Sequence, residues 1–121
     1  MILLVGKPGP LRDALHSLLN AMPELPPITT ADGGLLALKQ IRECAPALVF
    51  IAGGLPEQEA MELVRQVGRD APGVPCLVVA DHSSYQYLVR WAGAEVLPGD
   101  TPFAEMQAVI SKLLLDSDER R

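Results

Sequence analysis

The stretch LVFIAGGLPE, residues 48–57, begins as an unbroken apolar run, passes through Ala52-Gly53-Gly54 and breaks at Pro56. A short apolar run closed by Gly and Pro predicts a strand buried on both faces that delivers a loop to the surface. In many small α/β domains the end of such a strand carries a reactive acid. Here it carries Ala52, a methyl group.

Working outward from this strand, the chain alternates strand and helix patterns. Residues 2–5 (ILLV) and 75–80 (PCLVVA) are further buried-strand runs, 26–30 (PPITT) is a weaker β-branched edge, and 95–97 (EVL) is a short fifth strand. Between them fall helical spacings. Leu11, Leu15, Leu18 and Met22, widened by Ala14 and Leu19, predict the first helix, and Leu35, Leu38 and Ile41 the second, after Asp32-Gly33-Gly34. Met61, Val64 and Val67 predict the third, with Pro56 and Glu57 near its start. Ser83 or Ser84 caps a fourth that runs to Ala92. Thr101 as N-cap and Pro102 at the first helical position open the fifth, with Phe103, Met106, Ile110 and Leu113 on its buried face. Five βα units imply a flavodoxin-like (βα)5 fold: a doubly wound, parallel five-stranded sheet in a three-layer α/β/α sandwich. One domain over residues 1–116 is expected, with 117–121 as a charged tail or the start of a linker.

Composition narrows the function. The chain has 121 residues, 49% hydrophobic and 21% charged, with a net charge of −5. That balance argues against direct binding of nucleic acid or an anionic membrane by this segment. No apolar run approaches the roughly 20 residues of a membrane span, and MILLV is too short for a signal-peptide core. Cys44 and Cys76 have no metal-ligand spacing and read as two reduced thiols in a cytoplasmic protein.

The quoted pieces ILLV, LRDALHSLL (11–19), TTADGGLLALKQIRECAPALVFIAGGLP (29–56), GVPCLVVA (73–80) and WAGAEVLPGDTPFAEMQAVISKLL (91–114) have a familiar order and spacing. Over residues 1–115 the chain resembles the CheY-like receiver domain of response regulators. The resemblance implies the fold and a regulatory setting. It also implies where the chemistry would sit, and those positions are changed. The two Mg²⁺-holding acids after the first strand correspond to Gly6 and Lys7, and the phosphorylated aspartate to Ala52. The hydroxyl residue after the fourth strand corresponds to Ala80 and the lysine after the fifth to Pro98. Ala52 has no oxygen to phosphorylate, and Lys7 puts a cation where a metal would stand. A degenerate pseudo-receiver without catalytic residues, phosphoacceptor, metal or cofactor is therefore expected.

Other groups near the strand ends read as structural. Asp81 and Asp100 are expected as helix caps or as rim ion-pair partners of Lys7, rather than as a metal or acid–base pair. His82-Ser83-Ser84 lacks an orienting acid and reads as a cap beside an exposed histidine, and His16 as a helix-surface residue. GKPGP (6–10) lacks the phosphate-loop spacing, and its prolines remove amide donors.

The fourth helix carries the partner surface. In one register Tyr85, Leu88, Val89 and Ala92 face inward and Tyr87 and Trp91 project together beside Arg90. In the alternative register Tyr87, Leu88 and Trp91 are core. The first is preferred because small Ala92 suits close packing before Gly93-Ala94, and because the resemblance places Ala92 inward. Tyr, Trp and Arg are the residue types that dominate interface energetics. The expectation is thus a phosphorylation-independent, non-enzymatic module of bacterial signal transduction or transcription control. It would dimerise or bind a protein partner through the fourth helix, fifth strand and fifth helix, and a DNA-binding output domain is expected in a longer chain. The alternative is a small-ligand sensor using the emptied pocket between Lys7, Ala52 and Asp81; a flavodoxin-like enzyme is a third, weaker reading.

Overall fold

The computed structural model describes residues 1–22, 24–52, 55–79, 94–99 and 101–119. Its elements are β1 (Ile2–Val5), α1 (Pro10–Asn20), β2 (Ile28–Ala31), α2 (Gly34–Glu43), β3 (Leu48–Ile51), α3 (Glu57–Asp70), β4 (Cys76–Val79), β5 (Glu95–Leu97) and α4 (Phe103–Glu119). The helix expected over 83–92 lies outside the described residues, so α4 is the fifth helix of the expected series.

All strand pairings are parallel, in the order β2-β1-β3-β4-β5. Every residue of β1, β3 and β4 is buried, which is why these strands read as continuous apolar runs. The edge strands β2 and β5 are partly exposed, and they carry Thr29, Thr30 and Glu95. The pleat divides the strand side chains between two cores. Leu3, Val5, Val49, Ile51, Val78 and Val96 pack with α2 and α3 residues, including Ile41, Leu63 and Val67. Ile2, Leu4, Leu48, Phe50, Leu77 and Val79 pack in one cluster with Leu15, Leu19 and Met22 and with Met106 and Ile110 of α4. The result is the expected flavodoxin-like three-layer fold.

Several helices are rotated from the expected face. In α1 the buried line is Leu15, Leu19 and Met22, whereas Leu11 and Leu18 are 54% and 41% exposed and Ala14 is exposed. Arg12 is drawn inward beside Leu15, and that rotation leaves Leu11 and Leu18 on the flank. In α2 Leu35 is 85% exposed, while Gly34, Ala37 and Ile41 are buried and Leu38 is partly buried. Small residues let α2 approach α3: a Cβ at Gly34 would lie 3.1 Å from Glu59 Cγ. In α3 Ala60 and Leu63 join Val64 and Val67 in the core, and Met61 is only partly buried. In α4 Phe103 is 38% exposed; Met106 and Ile110 are core, and Leu113 is partly buried against them. The expected Thr101 cap is replaced by a turn. The Thr101 hydroxyl and amide both donate to the Pro98 carbonyl, at 2.6 and 3.1 Å. Met106 N–H then donates to the Pro102 carbonyl at 3.1 Å, so Pro102 precedes the first helical residue.

Candidate functional site at the strand rim

In a doubly wound sheet the cleft opens at the carboxyl ends of the strands where the chain reverses its winding direction. Here that point lies between β1 and β3, the central pair aligned Val5 to Ile51. The residues delivered there are Gly6 and Ala52. The ladder continues into both: Gly6 N–H donates to Ala31 O at 3.1 Å and Ala52 N–H to Val5 O at 2.9 Å. Gly6 is buried and Ala52 is 2% exposed. A Cβ at position 6 would lie 3.0 Å from the Ala52 Cβ, so the two strand ends close on each other with no room for a side chain at Gly6.

Among the described residues, two cations stand at this rim. Lys7 is exposed and makes no ion pair among the described residues. Its expected partners Asp81 and Asp100 lie outside the described residues, as do Ala80, Tyr87, Arg90 and Trp91. The other cation, Arg12, has a side chain only 15% exposed. Its Nη1 donates to the Gly6 carbonyl at 3.2 Å and to Asp32 Oδ1, so one guanidinium ties the end of β1 to the residue that follows β2. Asp32 is 59% exposed, so solvent screens the pair, and a contribution of up to about 1 kcal/mol is expected. Arg12 Nε is buried and has no hydrogen-bond partner among the described residues.

This link was missed in the sequence. Its signal was available: β1 and β2 are in parallel register, with Val5 opposite Ala31, so the residues that follow them emerge side by side. Pro98 is exposed and serves as the carbonyl acceptor for Thr101. Between the β1–α1 loop and Ala52 lies an open depression of about 280 Å³, lined by residues 7–12 and Ala52. Among the described residues its lining has no carboxylate, hydroxyl or thiol. Among the described residues no three His, Cys, Asp or Glu side chains gather in a metal-binding arrangement. Cys44 is exposed at the end of α2, and Cys76 is buried in β4, where loss of hydration raises its thiol pKa to about 12.

The backbone matches solved structures over nearly its whole length. The receiver domain of NtrX from Brucella abortus superposes with a TM-score of 0.81 at 21% identity, covering 94% of this chain and 98% of that one. A CheY-like receiver domain protein from Methanospirillum hungatei gives 0.85 at 18% identity, covering 99% and 97%. The chain has the CheY-like receiver fold. In the longer NtrX chain from Brucella abortus, the receiver-fold match covers 99% of this protein but 28% of that one, with a TM-score of 0.83 and 21% identity. No protein-family model matches the sequence, and no curated protein matches it significantly. No helix among the described residues is long and apolar enough to cross a membrane.

Proposed function

We propose that this chain is a phosphorylation-independent receiver-like module that regulates through protein–protein contact, in bacterial signal transduction or transcription control. The observation that carries this reading is the rim itself. Gly6 and Ala52 abut at the ends of β1 and β3, Lys7 follows, and none of the three carries a side-chain oxygen for a metal or a phosphoryl group. In place of a charge-switched site, the rim has a solvent-screened link from Arg12 to the Gly6 carbonyl and Asp32. A rim held this way favours one conformation rather than two, which suits a constitutive binding module better than a switch.

The partner surface in this reading is the segment carrying Tyr87, Arg90 and Trp91, together with β5 and α4, used for a homodimer or a protein partner in the cytoplasm. An output domain that binds DNA would belong to a longer chain, as the receiver fold occupies only a fraction of the longer NtrX structure. The module is not an enzyme in this reading. The test is incubation with acetyl phosphate and Mg²⁺ followed by intact mass measurement. No acid-labile phosphoryl adduct is expected, and Ala52→Asp alone should not restore one, because the acids at positions 6 and 7 remain missing. A stoichiometric adduct on the wild-type chain would overturn the reading.

A further inference from the structure

We propose that the outward face formed by α1 and α4 binds a second copy of this chain, in a twofold contact separate from the fourth-helix segment. The inference goes beyond the functional reading above, which does not use α1.

Placement is the first argument. Buried residues of α1 and α4 share one cluster with Ile2, Leu4, Phe50 and Leu77, so both helices cover the same face of the sheet, while α2 and α3 pack with the other cluster. Arg12 reaches Asp32, which follows edge strand β2, so the Arg12 flank of α1 faces that edge. At about 100° per residue, Leu11, Ala14, Leu18 and Ala21 fall within about 80° of one another, on the side of the buried Leu15–Leu19 line away from Arg12. That flank faces α4. Both helices fold back onto the sheet in the same direction, so the same sense of rotation turns Gln107 and Ser111 of α4 toward α1, with Ala104, Ala108 and Leu115 on its outer side.

Composition is the second argument. Four of the six exposed large apolar side chains among the described residues lie on these two helices: Leu11, Leu18, Phe103 and Leu115. Ala14, Ala21, Ala104 and Ala108 are exposed with them. The two arcs carry no charged residue, and Asp13, Glu105 and Lys112 stand at their outer margins. The solvent side of a surface helix ordinarily carries its charges. Depletion of charge marks the centre of an interface.

Area and charge choose the occupant. The exposed side chains offer on the order of 500 Å² per copy, most of the roughly 800 Å² that each partner of a standard interface buries. On a chain of net charge −5, an uncharged face can meet its own image without setting like charges opposite each other. With α1 of one copy seated over α4 of the other, the margins bring Asp13 toward Lys112 of the second copy, an opposite-sign pairing made twice. A lipid surface is a poorer match, because interfacial helices carry rows of Lys and Arg beside the apolar face, and Lys112 here stands with two acids.

The test is the weight-average mass of the full chain by sedimentation equilibrium across a concentration series, with backbone amide shifts followed on dilution. The wild type should self-associate, and the shifts that move on dilution should include residues 11–21 and 103–115. Where the fourth-helix segment pairs as well, particles larger than a dimer form. Ala108→Glu and Leu18→Glu each bring two like charges into the twofold contact and should weaken association about a hundredfold or more. Leu35→Glu, at a leucine 85% exposed on α2, should leave it unchanged. Leu18 is partly packed, so should Leu18→Glu melt early, Ala108→Glu at an exposed helical position decides alone. Trp91→Ala separates the two faces: in that background Ala108→Glu should still lower the mass. Association abolished by Trp91→Ala and untouched by Ala108→Glu would sink this inference and keep the fourth-helix reading. The reverse result removes self-association from the fourth-helix segment and keeps this face. A wild type that stays monomeric, or dilution shifts that leave α1 untouched, would overturn the proposal.

Discussion

Gly6→Ala adds one methyl group at the closest point between the two central strands, and its cost follows from the geometry. The new Cβ would lie 3.0 Å from the Ala52 Cβ. Both atoms are fixed directly to backbone in a fully buried part of the sheet, so neither can rotate away. Gly6 does not occupy the left-handed backbone region, so the contact rather than backbone strain decides the outcome. Overpacking of this kind costs about 1–3 kcal/mol. For a chain of this size that lowers the melting midpoint by roughly 3–6 °C per kcal/mol. Removing the opposing methyl should relieve the clash, so in an Ala52→Gly background the same Gly6→Ala substitution should cost little. The coupling between the two sites should then reach about 1 kcal/mol or more, above the few tenths expected of independent sites. Gly34→Ala serves as the control. Its Cβ would meet Glu59 Cγ at 3.1 Å, but Glu59 is an exposed, flexible side chain that can move, and Ala is the better helix former. That substitution should be neutral or stabilising. The assay is urea unfolding of the four members of the cycle, followed by circular dichroism. Equal Gly6→Ala costs in both backgrounds would refute the argument that the strand ends abut. The same contact implies that an acid cannot simply be returned to position 6, because Gly6→Asp meets Ala52 before its carboxylate reaches solvent.

Asp32→Asn should cost less than about 1 kcal/mol, since the carboxylate is mostly exposed, whereas Arg12→Met also frees the Gly6 carbonyl and should cost about 1 kcal/mol more. Equal costs by urea unfolding would show that the Gly6 contact contributes nothing. The folded Cys76 thiol, with its pKa raised from 9.0 to about 12, keeps its proton in a pH range where the unfolded chain has lost it. Stability should therefore fall as pH rises from about 9, by about 1.4 kcal/mol per pH unit from this group, and Cys76→Ala should lack that component. A thiol reagent should label exposed Cys44 promptly and buried Cys76 only on unfolding; equal rates in the folded protein would contradict the burial. Trp91→Ala should shift self-association toward monomer by about thirtyfold in affinity with little change in melting midpoint, measured by light scattering across a concentration series. An early-melting variant would place Trp91 in the core instead.

The sequence by itself determined the order of the described strands and helices and the parallel three-layer architecture. The reason is that β1, β3 and β4 are buried on both faces, and a strand with no solvent side must be apolar at every position, a pattern no surface helix shares. The residues at the strand ends were legible for the same reason, because a strand's last residue locates its loop: Gly6 and Lys7 after β1, Ala52 after β3. Helix faces were less legible. Hydrophobic spacing chose Leu11, Leu18 and Leu35 for the interior, but tertiary packing put Arg12 and Gly34 there. A small residue fits where α2 approaches α3, and an inward arginine is held by a carbonyl and a carboxylate from other elements. Neither preference appears in a list of apolar residues. The Arg12–Asp32 link joins positions 20 residues apart that become neighbours only when β1 and β2 pair in register. Local pattern specifies which elements form, because backbone burial depends on neighbouring side chains. The contacts that close the rim depend on strand pairing across the sheet, and only the tertiary structure supplies it.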